Sequence, residues 1–258
     1  MLTIFLQAFI LIMAMMTVLW LVSIVLKNVS IVDLFWGMGF VLVNGWYFWS
    51  AGDFHLRQVV VLFLVSIWGF RLSGYLAWRN AGKGEDYRYQ EFRKTYGEQR
   101  YWWVSFFQTF LLQGVLMWLI SLPLLGVNYY TQSNQINWLD MLALIIWLVG
   151  FIFEAGGDFQ LAAFKNNPRN KGKVLNTGFW RYTRHPNYFG DAAVWWAFAL
   201  FCMAAGNYWM IVGSVVMTLL LIKVSGVALL EKSLKEKKPD YQEYVRKTSA
   251  FLPWFPKK

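Results

Sequence analysis

Seven apolar runs, at about 2–26, 31–51, 57–79, 101–127, 137–164, 187–205 and 207–230, constrain this chain more than any motif in it. A helix needs about 20 apolar residues to cross the hydrocarbon core of a membrane. Of the 258 residues 58% are hydrophobic and only 15% are charged. A soluble domain is rarely so apolar. The expectation is an all-α integral membrane protein with seven transmembrane helices, a single domain over residues 1–258. The first run is too long for a cleaved signal peptide, and no basic segment precedes it. Cys202 is the only cysteine, so an intramolecular disulfide and a thiolate metal cluster are both excluded.

The connections between these runs carry the charge, and they carry it unevenly. The connection at 79–100 holds Arg79, Lys83, Arg88, Arg93, Lys94 and Arg100. The one at 165–185 holds Lys165, Arg169, Lys171, Lys173, Arg181 and Arg184. Eight more basic residues follow Leu230, and Lys27 lies in the first connection. With seven spans, 21 of the 24 basic residues fall on one side. The positive-inside rule then puts the C-terminus in the cytoplasm and the N-terminus outside. Six or eight spans would scatter the charges.

One stretch concentrates polar chemistry. Residues 178–191 read GFWRYTRHPNYFGD, with Arg181, Tyr182, Arg184, His185, Asn187, Tyr188 and Asp191 packed between apolar runs. Arginine forks suit phosphate because they donate two parallel hydrogen bonds. Aromatic faces suit a nicotinamide or adenine ring, and Asn187 and Asp191 suit ribose hydroxyls or a carboxamide. Pro186 stops whatever helix precedes it and fixes entry into the next span. With Lys165, Arg169, Lys173 and the tail, the stretch reads as a pocket for a polyanionic cofactor at a membrane face. The bland alternative is an interfacial anchor rich in arginine and tyrosine.

Other polar groups fall inside or beside the runs. Asp33 sits near the inner end of the second run, either as an N-cap or as a cavity carboxylate. Arg71 lies about two turns inside Arg79 and is placed to snorkel, to pair with Asp33 or to reach a phosphate. Glu154 and Asp158 are four apart, hence on one helix face, and Gly156 and Gly157 between them allow close approach. Lys223 is the only interior charge of the last run. Residues 239–247 read as a short amphipathic helix, and 251–255 as its interfacial anchor. His185 has no histidine partner near it, since the other, His55, lies in an outer loop, so no metal site is expected. No nucleophile elbow or phosphate loop of the Walker type occurs. Nothing points to nucleic acid.

The motifs together are specific. Thr177 through Asp191, around Arg184-His185-Pro186-Asn187-Tyr188, resembles the signature shared by membrane steroid 5α-reductases, sterol reductases and isoprenylcysteine carboxyl methyltransferases. The Asp33-x-x-Trp36-Gly37 motif and the loop at 84–89 resemble the bacterial branch of the 5α-reductase-like proteins, and the similarity spans nearly the whole chain. The resemblance implies a seven-helix fold open to lipid, with NADPH held by the C-terminal part, about 137–258, in a bacterial cytoplasmic membrane. It implies hydride transfer to a Δ4-3-ketosteroid or similar apolar enone, in a monomer. Cofactor-side positions by this resemblance are Asp158, Lys165, Lys173, Arg181, Asn187 and Asp191. Arg169, Tyr182, Arg184, His185, Tyr188 and Glu231 complete that side. On the substrate side stand Trp36, Trp68 and Arg71. The family's catalytic glutamate corresponds by position to Asp33; its tyrosine register falls near Trp68, and Tyr87 is the substitute. The alternative is an S-adenosylmethionine-dependent methyltransferase, a cofactor without phosphates that would not need six basic residues between Lys165 and Arg184. A lipid-binding protein with no enzymatic activity is the third class.

Overall fold

The computed structural model describes residues 1–224 and 241–257. Among them every regular element is helical, and one isolated bridge joins Thr183 to Ser249. Among the described residues, four helical segments are long and apolar enough to cross a membrane: Leu2–Leu26, Leu56–Asn80, Glu98–Tyr130 and Trp138–Asn166. The expected runs at 31–51 and 187–205 form interrupted or shorter helices, and the last, 207–230, extends beyond the described residues after Val224. The chain divides into two compact units, one of Met1–Ile136 with Ala205–Met210, the other of Asn137–Ala204 with Ile211–Lys258.

The first unit holds α1 (Leu2–Leu26), α2 (Ile31–Leu34), α3 (Trp36–Ala51), α4 (Leu56–Asn80), α5 (Tyr87–Tyr96), α6 (Glu98–Ser105), α7 (Leu112–Ile120) and α8 (Leu122–Tyr130). The run expected at 31–51 breaks at Phe35, whose backbone (φ −97°, ψ 2°) leaves the helical region between α2 and α3. A π-helical turn, Phe106–Leu111, joins α6 to α7. Pro123 has no amide hydrogen to give, so it sits in the first turn of α8, just past a break at Ser121.

Helices α3 and α4 touch backbone to backbone at two glycines. A Cβ on Gly37 would lie 2.4 Å from the Gly69 carbonyl oxygen, and one on Gly69 would lie 2.6 Å from that of Gly37. The Trp-Gly pairs at 36–37 and 68–69 thus have a packing cause. Trp68 is wholly buried against Phe40, which also meets the Trp36 ring edge-on. The Ser73 hydroxyl accepts the Met38 amide, one of the amides that the start of α3 leaves unpaired. Farther along, Asn128 donates to Asn44 at 3.0 Å, Gln58 donates to the Asn128 carbonyl, and Tyr47 meets Ser121 at 2.9 Å.

The second unit is built on α9 (Trp138–Asn166) and α10 (Pro186–Ala204), followed by α11 (Val212–Leu219), a π-turn over Leu220–Val224, and α12 (Tyr241–Lys247). An Asn137 capping box with Asp140 starts α9. Small residues again set the crossing. A Cβ on Gly190 would meet the Glu154 amide nitrogen at 2.3 Å and the Gly150 oxygen at 2.4 Å, and one on Gly157 would meet Pro186 and Asn187 at 3.1 Å.

Candidate functional site

Two polar clusters stand out, one in each unit. In the second unit, Glu154 and Asp158 on α9 are both buried, and they face the same crossing as Asn187 and Asp191 on α10. Both pairs are spaced i,i+4, which places each pair on one helix face. Asn187 donates to the Asp158 carboxylate at 3.1 Å. His185 is buried at the start of α10, and its ring stacks on Tyr188 at 5.7 Å. Among the described residues, no group of three or more His, Cys, Asp or Glu is arranged to hold a metal ion.

The loop leading into α10 is seated on α9 by glycine. Phe179 lies where a Cβ on Gly156 would stand. Its amide donates to Gln160, and the Trp180 indole donates to the Gly157 carbonyl at 3.1 Å. Gly178 has φ +61°, a left-handed backbone that favours glycine, and a side chain there would also displace the Gln160 amide, 2.5 Å away. By contrast Lys165, Arg169, Lys171, Lys173 and Arg181 are all exposed. The buried acids with half-buried Asn187, and the exposed cations, therefore form two layers of one region of this unit.

Arg184, assigned to phosphate in the sequence, also does something else. Its guanidinium Nη1 donates to the carbonyls of Val245, at 3.2 Å, and Thr248, and its backbone amide donates to Ser249. The Thr183 hydroxyl donates to Phe251, the Trp254 amide to Tyr182, and the Tyr244 hydroxyl to Trp180. The Arg-Tyr-Thr-Arg segment is thus a clip for the C-terminal tail. Tyr182 contributes its carbonyl and an edge contact with Phe255. Glu231 lies outside the described residues. Because charged donors bonded to buried carbonyls are worth about 2–3 kcal/mol, Arg184→Ala is expected to loosen the tail by that amount. Trypsin should then cut at Arg246 and Lys247 several times faster; an unchanged digestion rate would show that the clip does not hold the tail.

In the first unit the centre is Asp33. Its carboxylate accepts from Arg88 Nη2 at 2.8 Å and from the Tyr89 hydroxyl at 2.7 Å. Gln113 in turn donates to the Tyr89 oxygen at 3.2 Å. Asp86 caps α5 and also holds Arg88 Nε at 2.9 Å. Glu85 takes two bonds from Arg93 and one from the Val29 amide. Burial, with the adjacent Asp33 carboxylate, pushes the Tyr89 phenol well above its ordinary pKa. Burial works against the Arg88 charge, but Asp33 and Asp86 outweigh it and hold the guanidinium more firmly protonated than usual.

Tyr87, the tyrosine singled out in the sequence, is 57% exposed; the one that meets Asp33 is Tyr89. The signal was present in the spacing. With Asp86 as N-cap, Tyr89 and Phe92 fall three apart on one face of α5, and their rings touch at 6.4 Å. Arg71 is half-buried on α4, and Trp36 and Trp68 belong to the packing of α3 on α4.

Comparison with known proteins adds the following. An uncharacterized protein of Schizosaccharomyces pombe is 27% identical over 262 residues, covering 92% of this chain and 76% of its own length. The Delta(14)-sterol reductase of Arabidopsis thaliana is 29% identical over 110 residues, which is 39% of this chain and 26% of that protein. No solved structure matches. The family described as Protein of unknown function (DUF1295) matches residues 19–248. With nine-tenths of its length inside that match, the chain belongs to this family.

Proposed function

We propose that the protein is a membrane reductase that uses NADPH to saturate a polarised carbon–carbon double bond in an apolar lipid, a Δ4-3-ketosteroid or similar enone. The observation that carries the reading is the second unit's layered polar region, in a chain similar over part of its length to a sterol reductase. The reading keeps seven spans, with the C-terminus in the cytoplasm and the protein in a bacterial cytoplasmic membrane.

The residues fit the cofactor by the chemistry of their donors. Exposed Lys165, Arg169, Lys173 and Arg181 would take phosphate oxygens, including a 2′-phosphate. The Asp158–Asn187 pair and Asp191 would hold hydroxyls or a carboxamide, and the His185–Tyr188 stack offers an aromatic face. When bound, the nicotinamide supplies hydride. Within the first unit, Tyr89 is a proton-bearing phenol held by Asp33 and Gln113. A ketone oxygen competes poorly with the Asp33 carboxylate for that proton. A developing enolate oxygen competes well, so the bond would strengthen in the transition state, where it speeds the reaction.

Purified protein is expected to quench NADPH fluorescence and to consume NADPH when given a Δ4-3-ketosteroid. The double variant Arg169→Ala, Lys173→Ala should raise the Kd for NADPH about tenfold, or about 1.4 kcal/mol, and raise that for NADH less, since NADH lacks the 2′-phosphate. Folded protein that binds no NADPH would sink the reading. Co-purified S-adenosylmethionine, seen by mass spectrometry, would replace it with the methyltransferase.

A further inference from the structure

A polar cavity lies in the first unit, at the end of α1, and the proposed reaction does not use it. It encloses about 490 Å³ and is lined by Ser23, Lys27, Arg93, Glu98, Tyr101 and Trp102, among others. Pockets of about 300–1,000 Å³ hold small ligands. Its charged groups differ in how they are engaged. Arg93 is committed: two of its nitrogens bond Glu85, and its guanidinium lies 4.8 Å over the Tyr101 ring. Lys27 and Glu98 form no ion pair among the described residues. Tyr101 is fully buried, and its hydroxyl has no hydrogen-bond partner by distance and angle among the described residues. A buried donor of this kind is normally satisfied.

The cavity thus offers one ammonium, one carboxylate and one unused phenol. A ligand complementary to all three carries an anionic oxyacid and a protonated amine a few atoms apart. Its position narrows the class further. Lys27 caps α1, a 25-residue helix long and apolar enough to cross a membrane. Beside it Val22, Val25 and Leu26 are exposed, as are Trp102 and Trp103. Lysine and tryptophan at the end of a span mark the level of lipid head groups. Acyl chains below that level would lie along the exposed flank of α1.

We propose that this cavity is a binding site for a zwitterionic phospholipid with a phosphoethanolamine head group. Lys27 and the Tyr101 hydroxyl take the phosphate, and Glu98 takes the ammonium. Phosphatidylglycerol would set Glu98 against a head group with no cation. Phosphatidylcholine carries the charge but has no N–H to give to Glu98. The site is independent of the proposed reductase chemistry.

The test compares thermal unfolding of delipidated, detergent-solubilised full-length protein with each lipid added. Phosphatidylethanolamine is expected to raise the unfolding temperature by about 3 °C more than phosphatidylglycerol or phosphatidylcholine. Native mass spectrometry should show it retained on the protein. Glu98→Gln should abolish the preference over phosphatidylcholine, and Lys27→Asn should lower retention of phosphatidylethanolamine. Asparagine is chosen because Lys27 has φ 51°, a left-handed conformation that asparagine tolerates. The lipid comparison on the unchanged protein decides the case if either variant fails to fold. Equal stabilisation by the three lipids, or a preference for phosphatidylglycerol, would overturn the proposal. So would an equal shift produced by soluble O-phosphoethanolamine, which would mean a soluble ligand and not a lipid.

Discussion

Gly190→Ala is expected to be the most damaging single methyl that can be added to this protein. The new Cβ would lie 2.3 Å from the Glu154 amide nitrogen and 2.4 Å from the Gly150 oxygen. Both are backbone atoms of α9, so no side chain can rotate away. The helices must separate, and the seam they share contains buried Glu154, Asp158 and Asp191. Overpacking of this kind costs about 3 kcal/mol, which lowers the unfolding temperature by about 10 °C in a chain of this size. Separation would also pull Asn187 from Asp158, so any cofactor affinity should fall with stability. The control is Gly45→Ala in α3, where nothing lies within 4 Å of the new Cβ. There the substitution should be neutral or stabilising by about 0.5–1 kcal/mol, because glycine costs a helix backbone entropy. Thermal unfolding of both variants in detergent decides the point. A Gly190→Ala protein as stable as the wild type would mean that α9 and α10 do not cross so closely.

That crossing also shows what the sequence made legible. The helical class and the long apolar elements follow from run length alone, since backbone in lipid must pair with itself. The i,i+4 spacing of Glu154 and Asp158 put them on one face before any contact was known. Gly156 and Gly157 marked a close approach, but nothing in the pattern distinguished a ligand from the Phe179 ring at Gly156 and the Pro186–Asn187 start of α10 at Gly157. Arg184 was read through its chemistry, as a phosphate ligand. Its bonds to Val245 and Thr248 join residues more than 60 positions apart, and periodicity carries no information at that range. The break at Phe35 was hidden for a similar reason. Hydropathy runs through 31–51 with little interruption, while the bonds made beside the break join Asp33 to Arg88 and Tyr89, 55 and 56 positions away.

Tyr89→Phe is expected to lower kcat about 100-fold and leave KM and NADPH affinity nearly unchanged. The reasoning starts from which tyrosine bears the proton. Tyr87 is the first residue of α5 and points outward, 57% exposed. Tyr89 is buried, donates to Asp33 at 2.7 Å and accepts from Gln113. Its raised pKa keeps it a phenol at every pH an assay would use. On the proposed reading the hydroxyl therefore has one proton and, with substrate present, two competing acceptors. Before the reaction the carboxylate wins, so little binding energy is lost when the hydroxyl is removed. As charge develops on the substrate oxygen the balance reverses, and the loss of one such donor costs about 100-fold in kcat. Removing interactions made only in the transition state lowers kcat and kcat/KM together. Tyr87→Phe should stay within about twofold of the wild type, since its hydroxyl is exposed and a surface change of this kind alters little. Steady-state rates for the two variants, with NADPH binding as the check on folding, separate the possibilities. Loss of activity in Tyr87→Phe with Tyr89→Phe intact would move the proton-bearing group from the Asp33 network to the exposed edge of α5. Equal activity in both would remove tyrosine from the chemistry and leave Asp33, which already bonds Arg88 at 2.8 Å, as the remaining polar group of that network.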